Sequence, residues 1–302
     1  MNKIAFSVDI EDWYHNPAVV GSSFSKYKTI EDFVKEQSYD YKKFLKPFDI
    51  TIQLLNNFGI KATFFIVGEM AQRFPYIVEQ IVLNGHEVAC HGHYHYMKYD
   101  PKINRMLYSK NQFENMTGES KHILESLCGE KVIGYRAPCA YICGDMIDSL
   151  EKIGFKYDSS VSVNSIYNKS DRKTDGVTTT PYFPDKGSLA NNGEKRDIIE
   201  FPWPYYDFCG FKFPTAGGPF LRFFGEKYIS MGIKQSLKRG DTALYFHVID
   251  ISEESFPPLG KNRPFYFVFK GQVVKRRLNA LLEKFNGQFC PFIEILPKYI
   301  NI

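Results

Sequence analysis

The sequence predicts an α/β protein built as a distorted (β/α)7-type barrel, one domain spanning residues 1–302. Three observations support this. Short apolar runs alternate with amphipathic helical stretches about seven times, which favours a parallel barrel over an open sheet. The chain is long enough for one large α/β domain with a substantial core. No composition shift marks a linker, and the alternation itself is the only internal repeat.

Taken in order, KIAFSVDI from Lys3 is an apolar run ending in acids, as a buried strand would. FDITIQLLNNFG spaces Ile52, Leu55 and Phe58 at helical intervals and stops at Gly59. KATFFIVG is a second strand. Ile77, Val78, Ile81 and Val82 make an amphipathic helix closed by Asn84-Gly85, and EVAC is a third strand. A long polar helix is expected over Asn104 to Leu127, then VIGYRAP as a fourth strand. GDMIDSLEKIG is a helix with a glycine stop, and FKYDSSV is a fifth strand. IIEFPW and TALYFHVI are two further strands flanking a helix from Glu226 to Leu237. A last helix, Gln272 to Phe285, leads into PFIEIL. The polar stretch of about 162–197 is too long for a connector, so it reads as a disordered insertion or a lid over the active face.

Composition removes several function classes. A net charge of +4 with no dense Lys/Arg run argues against nucleic-acid binding. No segment approaches the ~18 apolar residues of a spanning helix, and no signal-peptide pattern opens the chain. The six cysteines are scattered without zinc-finger spacing, so they read as reduced thiols. A cytoplasmic protein is the expectation. The 27 Phe and 20 Tyr are mostly core, although sugar-binding surfaces also favour flat rings.

Catalytic groups of a barrel collect where its strands end. Those ends hold Asp9, Glu11 and Asp12 after the first strand and His91, His93 and His95 after the third. Arg136 follows the fourth, Asp158 the fifth and His247 the seventh. Any one of these could be an ordinary surface polar group. Acid, imidazole and guanidinium recurring at equivalent places are hard to attribute to chance.

Five motifs in order, SVDIED, His91-Gly-His-Tyr-His95, Arg136-Ala-Pro138, Tyr157-Asp158-Ser159 and LYFHV with His247, resemble those of the NodB-like polysaccharide deacetylases, carbohydrate esterase family four. The resemblance implies a hydrolase that removes N-acetyl groups from amino sugars of a polysaccharide, oligosaccharide or glycan precursor. It implies one divalent ion, zinc first, with cobalt or nickel as alternatives. His91 and His95, four apart past a strand, can chelate that ion together with a carboxylate of the first loop. By resemblance Asp9 is the general base, held by Arg136, and His247 protonates the departing amine, oriented by Asp158. His93, between the two ligand positions, is assigned an outer or structural role.

The family's two acids are adjacent, whereas this chain has Asp9-Ile10-Glu11-Asp12. Strand alternation favours Glu11 as the third ligand. A turn after Ile10 favours Asp12, whose shorter arm resembles the family's aspartate. Both stay open, with Asp12 ahead. Trp203 and Arg222 are further substrate-binding candidates, one for stacking on a sugar and one for an anionic group. Two other functions stand beside the deacetylase: a deformylase or other small-amide hydrolase on the same site, and a catalytically silent glycan-binding module. A cytoplasmic member would act on a nucleotide- or lipid-linked intermediate of surface-polysaccharide synthesis. Oligomeric state is left open by the sequence.

Overall fold

The computed structural model describes residues 1–191, 193–255 and 269–300. In chain order its strands are β1 (Ile4–Ile10), β2 (Thr63–Ile66), β3 (Glu87–Cys90), β4 (Tyr99–Asp100), β5 (Arg105–Met106) and β6 (Gly134–Tyr135). They continue with β7 (Tyr157–Asp158), β8 (Ile199–Glu200), β9 (Tyr205–Phe208), β10 (Phe211–Pro214), β11 (Thr242–His247) and β12 (Phe289–Cys290). One parallel sheet runs β11-β1-β2-β3-β6-β7-β8, curling into the expected distorted (β/α)7 barrel, and β12 pairs with the start of β1.

Side-chain alternation sorts the sheet into an outer and an inner face. On β1, Ile4, Phe6, Val8 and Ile10 join the large core beneath the helices. Ala5 faces inward with Phe65, Ala89, Tyr157, Ile199 and Ala243, packed on Phe292, Ile295 and Leu296 from the C-terminal segment. Phe292 stacks on Tyr157 with ring centroids 5.1 Å apart and fills the bottom of the barrel. The inward-facing positions above this plug are therefore available for polar groups.

The edge of β11 is covered by residues 215–217: Tyr245 N donates to Ala216 O, and Gly217 bridges to Tyr245. Gly217 has φ +114°, and a Cβ there would lie 1.9 Å from the Tyr245 carbonyl, so only glycine lets this segment approach so closely.

Helix boundaries differ from expectation for local reasons. The long polar helix spans Lys110–Cys128, not Asn104 onward. Ser109 and Gln112 form a capping box that starts it, and β4 and β5 form a hairpin just before. The helix expected from Glu226 begins at Pro219 and kinks at Gly225, whose φ of +78° breaks the helical period. The β9–β10 hairpin went unread because its turn, Cys209-Gly210, has positive φ at both residues without an Asn-Gly or Asp-Gly signal. Helices Ile30–Gln37 and Gly68–Arg73 were also unread. Over its described residues the 162–197 stretch is irregular but anchored, with bridges Ile142–Ser170, Tyr182–Glu200 and Pro184–Asn191.

Candidate active site

In-register pairing brings the strand ends to one level: Asp9 lies opposite His247, Ile10 opposite Ile66, Ile66 opposite Cys90, and Cys90 opposite Tyr135. The next inward positions are Glu11, His91 and Arg136. The chain carries them past the strands with ladder-like bonds, His91 N to Ile66 O and Arg136 N to Cys90 O. They open into a cleft of about 350 Å³.

Glu11, His91 and His95 place one ligand atom each within 4.8 Å of one another. His95 Nε2 is 2.7 Å from Glu11 Oε2 and 3.2 Å from His91 Nε2. The other nitrogen of each ring is committed. His91 Nδ1 lies 2.9 Å from Arg136 O, and His95 Nδ1 lies 2.9 Å from His15 O. Two carbonyls thus fix the tautomers with Nε2 free to ligate, the arrangement found around metal-binding histidines. Burial and the neighbouring His95 keep the His91 imidazole neutral, its pKa well below the ordinary value. Burial raises the Glu11 pKa, but His95 and His247 more than offset this and hold its carboxylate ionised. His95 sits at φ +60°, a strained backbone that its bond to His15 O helps hold in place. His15 is braced in turn by Glu69, 2.9 Å from its Nε2.

Asp12 faces elsewhere. Its carboxylate caps the turn that follows, accepting from Trp13 N at 2.7 Å and from the Tyr39 hydroxyl at 2.8 Å. The order held at the sequence level, Asp12 before Glu11, is therefore reversed. The extended alternation of β1 continues one residue beyond Ile10, turning Glu11 inward and Asp12 outward.

Asp9 and Arg136 are both buried. Arg136 Nη1 donates to Asp9 Oδ1 at 2.6 Å and to Ser7 Oγ at 2.9 Å, and Arg136 Nε donates to Ser159 O. Asp9 Oδ2 stays on the cleft side, 4.0 Å from His247 Nε2. Burial raises the Asp9 pKa against the opposing charges of Arg136 and His247. His247 Nδ1 lies 3.1 Å from Asp250 Oδ2, and the Arg222 guanidinium binds Asp250 Oδ1. Burial lowers the His247 pKa, but Asp250 and Glu11 more than offset this and raise it.

The carboxylate against the His247 ring is therefore Asp250 and not the expected Asp158. Asp158 accepts from Ser160 Oγ, which also accepts from Ala137 N, and it is paired with the buried Glu200, whose pKa burial and Asp158 push well up. It braces the Arg136-Ala-Pro138 loop from below. Arg222 supports Asp250, Trp203 forms wall with Tyr245 at 4.6 Å between centroids, and His93 points away toward Gly68 and Ser120. Sequence reasoning missed Asp250, whose signal was an acid three residues past the strand-end His247. It also missed that Lys169 and Cys139 line the cleft, the Cys139 thiol beside His95.

The fold is similar to that of a solved structure assigned to the polysaccharide deacetylases. Residues 48–157 match the polysaccharide deacetylase family model, and residues 164–296 match DUF3473, a domain of unknown function. The peptidoglycan deacetylase-like protein FGM2 of Gibberella zeae is 35% identical over 115 residues, 37% of this chain and 31% of that protein. The peptidoglycan deacetylase of Helicobacter pylori is 27% identical over 158 residues, 51% of this chain and 52% of that protein. The chain thus spans about half, or less, of the length of these curated relatives. A Mycobacterium smegmatis structure assigned to the polysaccharide deacetylases aligns with a TM-score of 0.60 at 20% identity, covering 99% of this chain and 91% of that one. Among the described residues no helix is long and apolar enough to cross a membrane.

Proposed function

We propose that the chain is a metal-dependent hydrolase that removes N-acetyl groups from amino sugars of a glycan. The observation that carries this reading is the Glu11–His91–His95 cluster at the foot of the cleft, with Asp9 and His247 beside it. Its chemistry fits a divalent ion of the zinc class: two imidazoles with fixed tautomers, one ionised carboxylate, and an open side toward the cleft. When bound, such an ion polarises an amide carbonyl and brings the pKa of a water to ~7.

The chain's own groups do the rest. Asp9, anchored through Oδ1 by Arg136, takes the proton of the attacking water on Oδ2. His247 delivers a proton from Nε2 to the departing amine, with Nδ1 held by Asp250. Ser7, Ser159 and Phe65 enclose the Arg136 guanidinium so that the base cannot swing away. Trp203 and Tyr245 form an apolar wall suited to a sugar face. The six free thiols support a reducing compartment, and with it a lipid- or nucleotide-linked precursor as the glycan.

The test is acetate release from N-acetylated sugars in free, nucleotide-linked and polymeric form. We expect turnover of at least one, abolished by a chelator and restored by zinc, cobalt or nickel. No acetate from any of them, with stoichiometric metal bound, would sink the reading.

Asp250 gives a second check. The acid must be protonated to act, so activity falls as pH rises through the His247 pKa, which the Asp250 charge helps to raise. In Asp250→Asn the alkaline limb of kcat/KM should therefore move to lower pH. An unmoved limb would show that another group is the acid.

A further inference from the structure

Three cations line the cleft among the described residues, and the proposed chemistry uses two of them. Arg136 is matched by Asp9 and Arg222 by Asp250. The third, Lys169, has no carboxylate within ion-pairing distance among the described residues. Its backbone is fixed: Ile142 N donates to Lys169 O, and the next residue, Ser170, is locked to Asn168 by bonds in both directions. This anchoring keeps the half-buried side chain in the cleft wall.

Around the ammonium stand aromatic rings: Tyr167 at 5.6 Å, with Tyr141 and Trp203 each at 6.0 Å to the ring centroid. These distances lie at the outer edge of useful cation–π attraction, so the rings replace lost water poorly. Burial lowers the Lys169 pKa, and the more distant Glu11 carboxylate offsets this only in part. A cation that has lost water and gained no counter-charge in contact is a cost to the folded state. A ligand that brings an anion to this place recovers that cost.

Resting on the deacetylase reading, we propose that Lys169 is a specificity residue that pairs with a carboxylate on the glycan, so that the substrate is an acidic chain carrying an N-acetylated amino sugar next to an acidic sugar. The point charge of a lysine suits one carboxylate oxygen on a neighbouring sugar, where no bidentate geometry is imposed. The surrounding rings can receive the apolar face of that sugar while its carboxylate meets the ammonium.

The test uses the zinc-loaded Asp9→Asn protein, in which turnover is slowed by about 10²- to 10⁴-fold, and a tetrasaccharide alternating N-acetylglucosamine with glucuronate. Its carboxyl-reduced form is the neutral control. Titration calorimetry should find the acidic form bound about tenfold tighter or more, the scale of one charge-assisted hydrogen bond. Adding Lys169→Met should remove that preference while changing affinity for the neutral form less than about twofold. Lys169→Arg, which keeps the charge, should restore the preference and guard against a folding defect in the methionine variant. Equal affinity for the two tetrasaccharides, no binding of the acidic form, or a preference that survives Lys169→Met would overturn the proposal. Acetate release by the unmodified protein from a neutral N-acetylglucosamine oligomer is measured alongside. Its absence from every N-acetylated glycan counts against the deacetylase reading, whereas the charge preference is read from binding alone.

Discussion

Asp9→Asn should lower the rate of acetate release by about 10²- to 10⁴-fold, the usual contribution of a general base, with bound metal unchanged. The substitution is nearly isosteric, and the asparagine oxygen can still accept from Arg136 Nη1, which now reaches Asp9 at 2.6 Å. What disappears is the basic oxygen facing the cleft. The ligand cluster does not include Asp9, so the metal content of the purified variant should match that of the unmodified protein. Removing the charge also leaves the buried Arg136 without its carboxylate, although Ser7 and Ser159 still bind it. A loss of stability on the order of 3 kcal/mol or less is expected in a denaturant melt, since breaking a buried pair is costly but these bonds remain. A variant that loses metal with activity would make Asp9 a ligand. One that keeps both would remove it from the mechanism.

The barrel was legible because its strands are short apolar runs bounded by acids and glycines, and the sheet pairs them in the order that alternating units demand. That the five candidate groups Asp9, His91, His95, Arg136 and His247 share one cleft was legible for a related reason. Each sits at or one step past a strand end, and a parallel sheet in register brings such positions to one level. What escaped depended on geometry that one-dimensional spacing does not carry. Whether Glu11 or Asp12 faces inward turns on where β1 stops being extended, a question of single backbone angles. The expectation for Asp158 failed because its partner Glu200 arrives from a strand more than forty residues later and ties it down as a buried carboxyl pair. Asp250 was overlooked because it lies on a short turn beyond the strand, where it also accepts from the His247 backbone. Lys169 carries no signal at all within a polar stretch; only the bridge from Ile142 to Ser170 puts it in the cleft.

Glu11→Ala and Asp12→Asn should separate cleanly in metal content, although the two residues are adjacent. Loss of Glu11 takes away one of three ligand atoms and leaves the His91–His95 pair without a carboxylate, so affinity for zinc should fall by at least the 10- to 100-fold typical of outer partners and activity should fall with it. Asp12→Asn should leave metal and turnover near normal, because the Asp12 carboxylate is spent on Trp13 N and the Tyr39 hydroxyl, and an asparagine oxygen can accept both bonds. Its signature is in stability against pH. Burial pushes the Asp12 pKa up from 3.8 to about 7, so between those values the folded chain holds a proton that the unfolded chain releases. That group's contribution to stability is greatest below pH ~4 and declines as pH rises toward 7, and asparagine, which does not titrate, removes the decline. Melting temperatures of the two proteins should therefore approach or cross with rising pH, Asp12→Asn gaining on the unmodified chain. Zinc stoichiometry by elemental analysis decides the ligand: metal lost in Asp12→Asn and kept in Glu11→Ala would place the third ligand at Asp12, with β1 turning before Glu11 when the ion binds.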